Sequence, residues 1–169
     1  KDNRECFERS ILVKEVVDNS IDEFAMGAGT EITIKVEDRK VSVRDFGRGI
    51  PLGKLVDASS KMNTGAKYDS EAFKKSVGLN GVGIKAVNAL SESFEIQSFR
   101  DGETKYVRYC RAKIVEERKI EPTDQPNGTQ VTFFADKDIF GNYHYIAEQL
   151  EVHAAMQVIA DIRHTVEAN

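Results

Sequence analysis

Helical and strand-like periods follow one another along this chain in an order that no repeating βαβ unit can produce. Residues 7 to about 25 carry apolar side chains at helical spacing, with Val13, Val17, Ile21 and Phe24 on one face and Met26-Gly27-Ala28-Gly29 as a glycine stop. Ile32, Ile34 and Val36 then alternate with polar residues, residues 37 to 40 turn, and Val41 and Val43 resume the alternation, which predicts a β-hairpin. Asp45-Phe46-Gly47-Arg48-Gly49-Ile50-Pro51 must be a loop, because two glycines and a proline end either regular structure. A polar stretch at 52–79, too sparse in large apolar residues to form a core, predicts a mobile lid. It runs into a glycine-rich loop that opens a helix on Ile84, Val87, Ala89 and Leu90. Strands are predicted at 94–99, 104–109, 112–117 and 129–134, and the spacing of Ile146, Leu150, Val152, Ala155, Ile159, Ile162 and Val166 predicts one or two closing helices over 143–166. This order reads as an α+β fold, a two-layer sandwich in which helices cover one face of a mixed β-sheet. Its polar loops would converge on the helix layer, the natural place for a cleft.

The chain has 169 residues, 40% hydrophobic and 31% charged, which suffices for one core and predicts a single domain over 1–169. A net charge of −4 lacks the basic footprint of a domain that grips the DNA backbone, so any nucleic acid is expected to bind elsewhere. Cys6 and Cys110 form no C-x-x-C pair, which argues against a disulfide framework or a zinc site. No stretch approaches the roughly eighteen apolar residues of a membrane span, and the first ten residues lack the apolar core of a signal peptide. The expected location is cytoplasmic, with no membrane contact. His144, His153 and His164 are scattered and take no role.

Three polar constellations carry candidate chemistry. Glu15, Asn19 and Glu23 lie at successive i, i+4 positions and form a stripe roughly opposite the Val13/Val17 face, a pattern that in isolation describes a solvated surface. Asp45, followed by Gly47-x-Gly49, places a carboxylate where backbone can approach a ligand. It could accept from an amino group such as that of adenine, or merely cap its own turn. Gly78-Leu79-Asn80-Gly81-Val82-Gly83 offers backbone N–H groups at a helix start, as phosphates require. It lacks the Gly-Lys-Ser/Thr ending of a P-loop and opens no βαβ unit, which disfavours both common nucleotide folds.

Together, E-x-x-x-N on a helix, D-x-G-x-G-I after a hairpin and G-x-x-G-x-G entering a helix resemble the GHKL family, named for gyrase, a heat-shock chaperone, histidine kinases and MutL mismatch-repair proteins. LVKEVVDNSIDEF, VRDFGRGIP, MNTGAKYDS, VGLNGVGIKAVNALS and NGTQVTF look specifically like the B subunit of a bacterial type IIA DNA topoisomerase. The short connection from Pro51 to Lys67 and the phrase SKMNTGAKYDSEAFKKSVGLNGVG lie nearer topoisomerase IV than gyrase. The resemblance covers residues 12 to 140 and implies the GHKL (Bergerat) ATP-binding fold, with ATP and Mg²⁺ as ligands.

By this resemblance Glu15 is the general base for the attacking water, and Asn19 is the Mg²⁺ ligand. Asp45 takes the adenine amino group, with Gly49, Ile50, Pro51 and Thr129 around the base. Glu23 and Arg48 form a structural pair beside it. Gly78, Leu79, Asn80, Gly81, Val82 and Gly83 cradle the phosphates, helped by Lys67. The whole enzyme would work with an A subunit and DNA and dimerise on binding ATP, and its adenine pocket would accept inhibitors. Residues 1–10 lack the Tyr-Ile-Gly strap of family members, so the fragment is expected to be a monomer. Feeble turnover is expected because the family's γ-phosphate lysine belongs to a following transducer domain, absent here along with the DNA-cleavage domain. The competing readings are a histidine-kinase or mismatch-repair ATPase and a non-catalytic nucleotide-binding module. Glu15 argues against the kinase.

Overall fold

The computed structural model describes residues 3–25, 31–37, 39–60, 83–137 and 163–168, with side chains for these except 3–11, 24–25 and 163–168. A long helix α1 (Asn3–Ala25) is followed by the hairpin β1 (Glu31–Glu37) and β2 (Lys40–Asp45). A 3-10 turn (Leu52–Lys54) leads into α2 (Leu55–Ser60), and α3 (Gly83–Ala89) precedes the strands β3 (Ser91–Arg100), β4 (Glu103–Cys110), β5 (Lys113–Glu117), β6 (Glu121–Pro122) and β7 (Gly128–Ala135). A last strand, β8, spans Arg163–Ala168.

The strands form one sheet in the order β5-β4-β3-β7-β2-β1-β8, with β6 paired to β4. All pairings are antiparallel except β1 with β8, which makes the sheet mixed as expected. Strand alternation sends Ile32, Ile34, Val36, Val41, Val43, Phe94, Ile96, Val107, Tyr109, Val131 and Phe133 to one face, where they bury against Leu12, Val13, Val16 and Val17 of α1, Leu55 of α2, and Ile84, Ala86 and Val87 of α3. Each large side chain so buried stabilises the fold by about 1.5–3 kcal/mol. The opposite face is polar, with Lys35, Ser42, Glu95, Gln97 and Gln130 around a concavity of about 320 Å³.

Three expectations are modified. Apolar spacing predicts closing helices as far as Val166, but residues 163–168 form a strand parallel to β1, with Ile34 opposite Val166. Short apolar runs do not separate helix from strand by periodicity, and a neighbouring strand edge decides. The rest of 143–166 lies outside the described residues. A lid is expected from residue 52, yet Leu55 and Ser59 are fully buried and 52–60 belongs to the packed helix layer, while 61–79 lies outside the described residues. The polar stripe of α1 is also not opposite the buried face. Leu12, Val13, Val16, Val17 and Ser20 point into the core, and at about 100° per residue the Glu15, Asn19 and Glu23 stripe is then centred only about a quarter turn from its middle. They run along the border of the core.

Candidate functional site

Three adjacent strands end in polar residues on the helix-covered face, and their register brings these together. β2 closes on Asp45, β7 begins with Thr129 beside it, and Thr129 lies opposite Ser98 of β3. Asp45 is 3% exposed. Its Oδ1 accepts from the backbone N–H groups of Gly47 (3.0 Å) and Thr129 (3.1 Å), and its Oδ2 accepts from Ser20 Oγ (2.8 Å). Burial pushes the Asp45 carboxyl above the usual aspartate range, partly offset by these hydrogen bonds and the Arg44 charge. A buried carboxylate with three donors around it is held in one orientation.

The loop after Asp45 is fastened from below and above. Ser98 Oγ donates to the carbonyl of Ile50 (2.6 Å), and Arg100 Nη1 donates to that of Gly49 (2.6 Å). Gly49 has φ +80°, and a Cβ there would stand 2.4 Å from the Phe99 carbonyl oxygen, so both conformation and space require glycine. Arg48 and Glu23 form the expected pair, with Nε to Oε2 at 3.0 Å, Nη2 to Oε1 at 2.9 Å and the Arg48 backbone N–H also on Oε2. The Arg48 hydrogen bonds hold the Glu23 carboxyl below its ordinary range despite partial burial. Arg44 lies between the rings of Phe46 (4.5 Å) and Phe99 (4.2 Å) and donates to the carbonyls of Asp45 and Pro126.

Beside this cluster a cavity of about 360 Å³ is walled by Glu15, Asp18, Asn19, Ile21 and Asp22 of α1, Ile50 of the loop, Ala58 of α2, and Gly83, Ile84 and Lys85 of α3. Glu15 is 8% exposed, and its Oε1 is buried without a hydrogen-bond partner among the described residues. Its other oxygen lies so close to Gly83 that a Cβ at that position would be 2.3 Å away. Burial raises the Glu15 carboxyl above the ordinary range. Lys14 opposes the shift, and Asp18 and Asp22 add to it. Such a carboxyl is suited to holding or taking a proton from a water in the cavity. Volume does not choose between this cavity and the concavity on the polar sheet face, which is of similar size. The orphaned carboxylate oxygen does.

Of the residues singled out by sequence, Glu15, Asn19, Ile50 and Gly83 share the cavity. Asp45 and Thr129 are not among its lining residues; Asp45 accepts from Thr129 and from Ser20, the chain neighbour of Asn19. Glu23, Arg48 and Gly49 frame the loop. Pro51 is exposed at the start of the 3-10 turn. Lys67, Gly78, Leu79, Asn80, Gly81 and Val82 lie outside the described residues. Sequence reasoning missed Ser20, Ser98 and Arg100. Ser20 had a readable signal, a small polar residue one turn beyond Val16 on the buried stripe. Ser98 and Arg100 had none, since their role depends on which strand neighbours β7.

Residues 10–139 match the family described as histidine kinase-, DNA gyrase B-, and HSP90-like ATPase. The B subunit of DNA topoisomerase 4 from Borreliella burgdorferi is 52% identical over 141 residues, 83% of this chain and 23% of that protein. The B subunit of DNA gyrase from Thermus thermophilus is 34% identical over 160 residues, 88% of this chain and 25% of that protein. The crystal structure of the 43K ATPase domain of Thermus thermophilus gyrase B, in complex with an aminocoumarin, matches with a TM-score of 0.71 at 29% identity, over 93% of this chain and 42% of that one. The chain therefore spans about a quarter of the length of these two curated relatives. Matched over most of its length and sharing its fold with a solved ATPase domain, the chain belongs to the histidine kinase-, DNA gyrase B- and HSP90-like ATPase family and is an ATP-binding domain of it.

Proposed function

We propose that residues 1–169 are the ATP-binding and hydrolysing domain of a bacterial type IIA DNA topoisomerase B subunit, and that nucleotide binding and turnover here drive DNA strand passage in the whole protein. The higher identity to a topoisomerase IV relative than to a gyrase relative supports the topoisomerase IV type. In that protein an A subunit and DNA are the partners, ATP drives dimerisation through the ATPase domains, and the location is cytoplasmic. Among the described residues no helix is long and apolar enough to cross a membrane.

The observation that carries this reading is the Glu15 Oε1, unpartnered among the described residues, on the wall shared by Asn19 and Gly83. A buried carboxylate oxygen without a donor costs free energy unless a ligand or water supplies one. Glu15 orients the attacking water and takes its proton. Asn19 stands on the same wall, and its side-chain oxygen is the hard, neutral donor that Mg²⁺ accepts alongside phosphates and water. The metal would supply charge neutralisation at the phosphates. Gly83, with no Cβ, lets the start of α3 come up against the Glu15 carboxylate, which puts the helix start beside the proposed base. Lys67 and residues 78–82 are assigned to the phosphates on their sequence motif.

Asp45 binds the adenine. A carboxylate offers about four lone-pair directions, and three are taken by Ser20, Gly47 and Thr129, which leaves one on Oδ2 for an amino group. Ile50 packs against the base and Gly49 sets the loop close to it. A compound that occupies the adenine site, as the aminocoumarin-bound relative suggests, would compete with ATP here.

Calorimetric titration with a nonhydrolysable ATP analogue and Mg²⁺ tests the assignment. Asp45→Asn keeps an oxygen for Gly47 and Thr129 but turns an NH₂ toward the ligand. It should leave the fold intact and weaken analogue binding by ~100-fold or more, since the site's buried donor then faces the ligand's. Unchanged affinity in Asp45→Asn, or no binding by the folded wild type, would overturn the reading.

A further inference from the structure

Two walls of the cavity come from helices that flank residues 61–82, Ala58 of α2 and Gly83 to Lys85 of α3. One side chain ties these helices together. Asn88, in the last turn of α3 and 1% exposed, donates from Nδ2 to the main-chain carbonyl of Ser59 at 2.8 Å. Ser59 is fully buried, and its hydroxyl lies 2.8 Å from both the Leu55 carbonyl and the Tyr109 hydroxyl of β4. Since the Leu55 carbonyl can only accept, Ser59 donates to it and Tyr109 donates to Ser59. Tyr109 is itself held edge-on against Phe94. A continuous buried chain thus runs from α3 through α2 to the sheet.

We infer that Asn88 is a positioning residue for nucleotide binding, setting the separation of the α2 and α3 walls of the cavity and, through α3, the approach of Gly83 to Glu15. The helix is seven residues, about 10 Å, long. At its far end Gly83 meets the Glu15 carboxylate with no space for an added Cβ. A rigid element this short transmits a displacement at Asn88 to Gly83. The Asn88–Ser59 bond joins α2 to α3 directly. The inference rests on the nucleotide reading of the cavity, which supplies the ligand that the walls hold.

Loss of the tie should act on affinity as well as stability. Asn88→Ala in the full chain is expected to weaken Mg²⁺–ATP-analogue binding about tenfold at a temperature well below its unfolding midpoint, while far-UV circular dichroism matches wild type. Tyr109→Phe, which removes one hydroxyl and little volume, is expected to weaken binding about threefold and serves if Asn88→Ala does not fold. Ser60→Ala, which removes only a hydroxyl bonded to the Val56 carbonyl of its own helix, should bind as wild type. Wild-type affinity in folded Asn88→Ala, or in Tyr109→Phe, with only a lower unfolding temperature, would reduce the network to a structural role and overturn the inference. Absence of binding by the wild-type chain would instead overturn the nucleotide reading, so the two failures are distinguishable.

Discussion

At Glu15 the requirements of folding and of chemistry oppose one another. Burial raises its carboxyl above the ordinary glutamate value of 4.5, and its Oε1 takes no hydrogen bond from the described residues. A carboxyl whose pKa is raised in the folded state stabilises the fold while protonated. That contribution is fully present below the ordinary pKa and is lost as pH rises through the raised one. The charged form is the one a general base needs. Glu15→Gln, uncharged and nearly isosteric, should therefore raise the unfolding temperature at pH 7 to 8, while ATP hydrolysis by the full-length protein falls by ~100-fold or more. Hydrolysis by the wild type should climb with pH along an acid limb whose midpoint lies above 4.5. A stabilised but fully active Glu15→Gln variant would remove Glu15 from the mechanism. Its position in the E-x-x-x-N motif was legible in the sequence. Its orphaned oxygen was not, because that depends on how closely α3 packs against α1.

Among the elements, the β4–β5 connection shows how a turn can be set by its surroundings. Arg111 and Ala112 both have positive φ, 48° and 66°, the geometry that a two-residue hairpin prefers and that glycine and asparagine normally supply. Here Arg111 is held by an ion pair with Asp136 (2.9 Å) and by its backbone N–H on the Glu92 carbonyl. Ala112 keeps the strain. Ala112→Gly should raise stability by about 0.5–1 kcal/mol in denaturant unfolding, because the left-handed conformation costs an alanine more than the added chain freedom costs the folded state. Destabilisation would mean that the turn is not strained at Ala112. No Asn-Gly marks this turn, so alternation alone starts a strand at residue 112. By contrast, the 31–37, 40–45, 91–100, 103–110 and 128–135 strands were legible from alternation and turn residues to within a few positions, since one face of each is buried and the other wet.

For the whole molecule, three separate stretches of chain, at 15–22, 50–58 and 83–85, line one cavity under a sheet that the last strand extends. A ligand that binds only the folded chain adds its binding energy to folding, about 2.7 kcal/mol at a hundredfold excess over Kd. Mg²⁺ with a nonhydrolysable ATP analogue should therefore raise the unfolding temperature of this chain by several degrees, and Asp45→Asn should abolish the shift. Equal shifts in both proteins would place the nucleotide elsewhere. The amino-acid sequence alone determined the α+β class, the polar stripe of α1, the carboxylate at the hairpin end and the glycine-led helix, because each is written in residues only a few positions apart. Tertiary structure decided the rest. The Asp45 carboxylate meets a donor 84 residues away at Thr129, residues 163–168 pair with β1 as a strand, and the α1 stripe borders the core. Contacts between distant segments depend on strand register and helix packing, which no local pattern specifies.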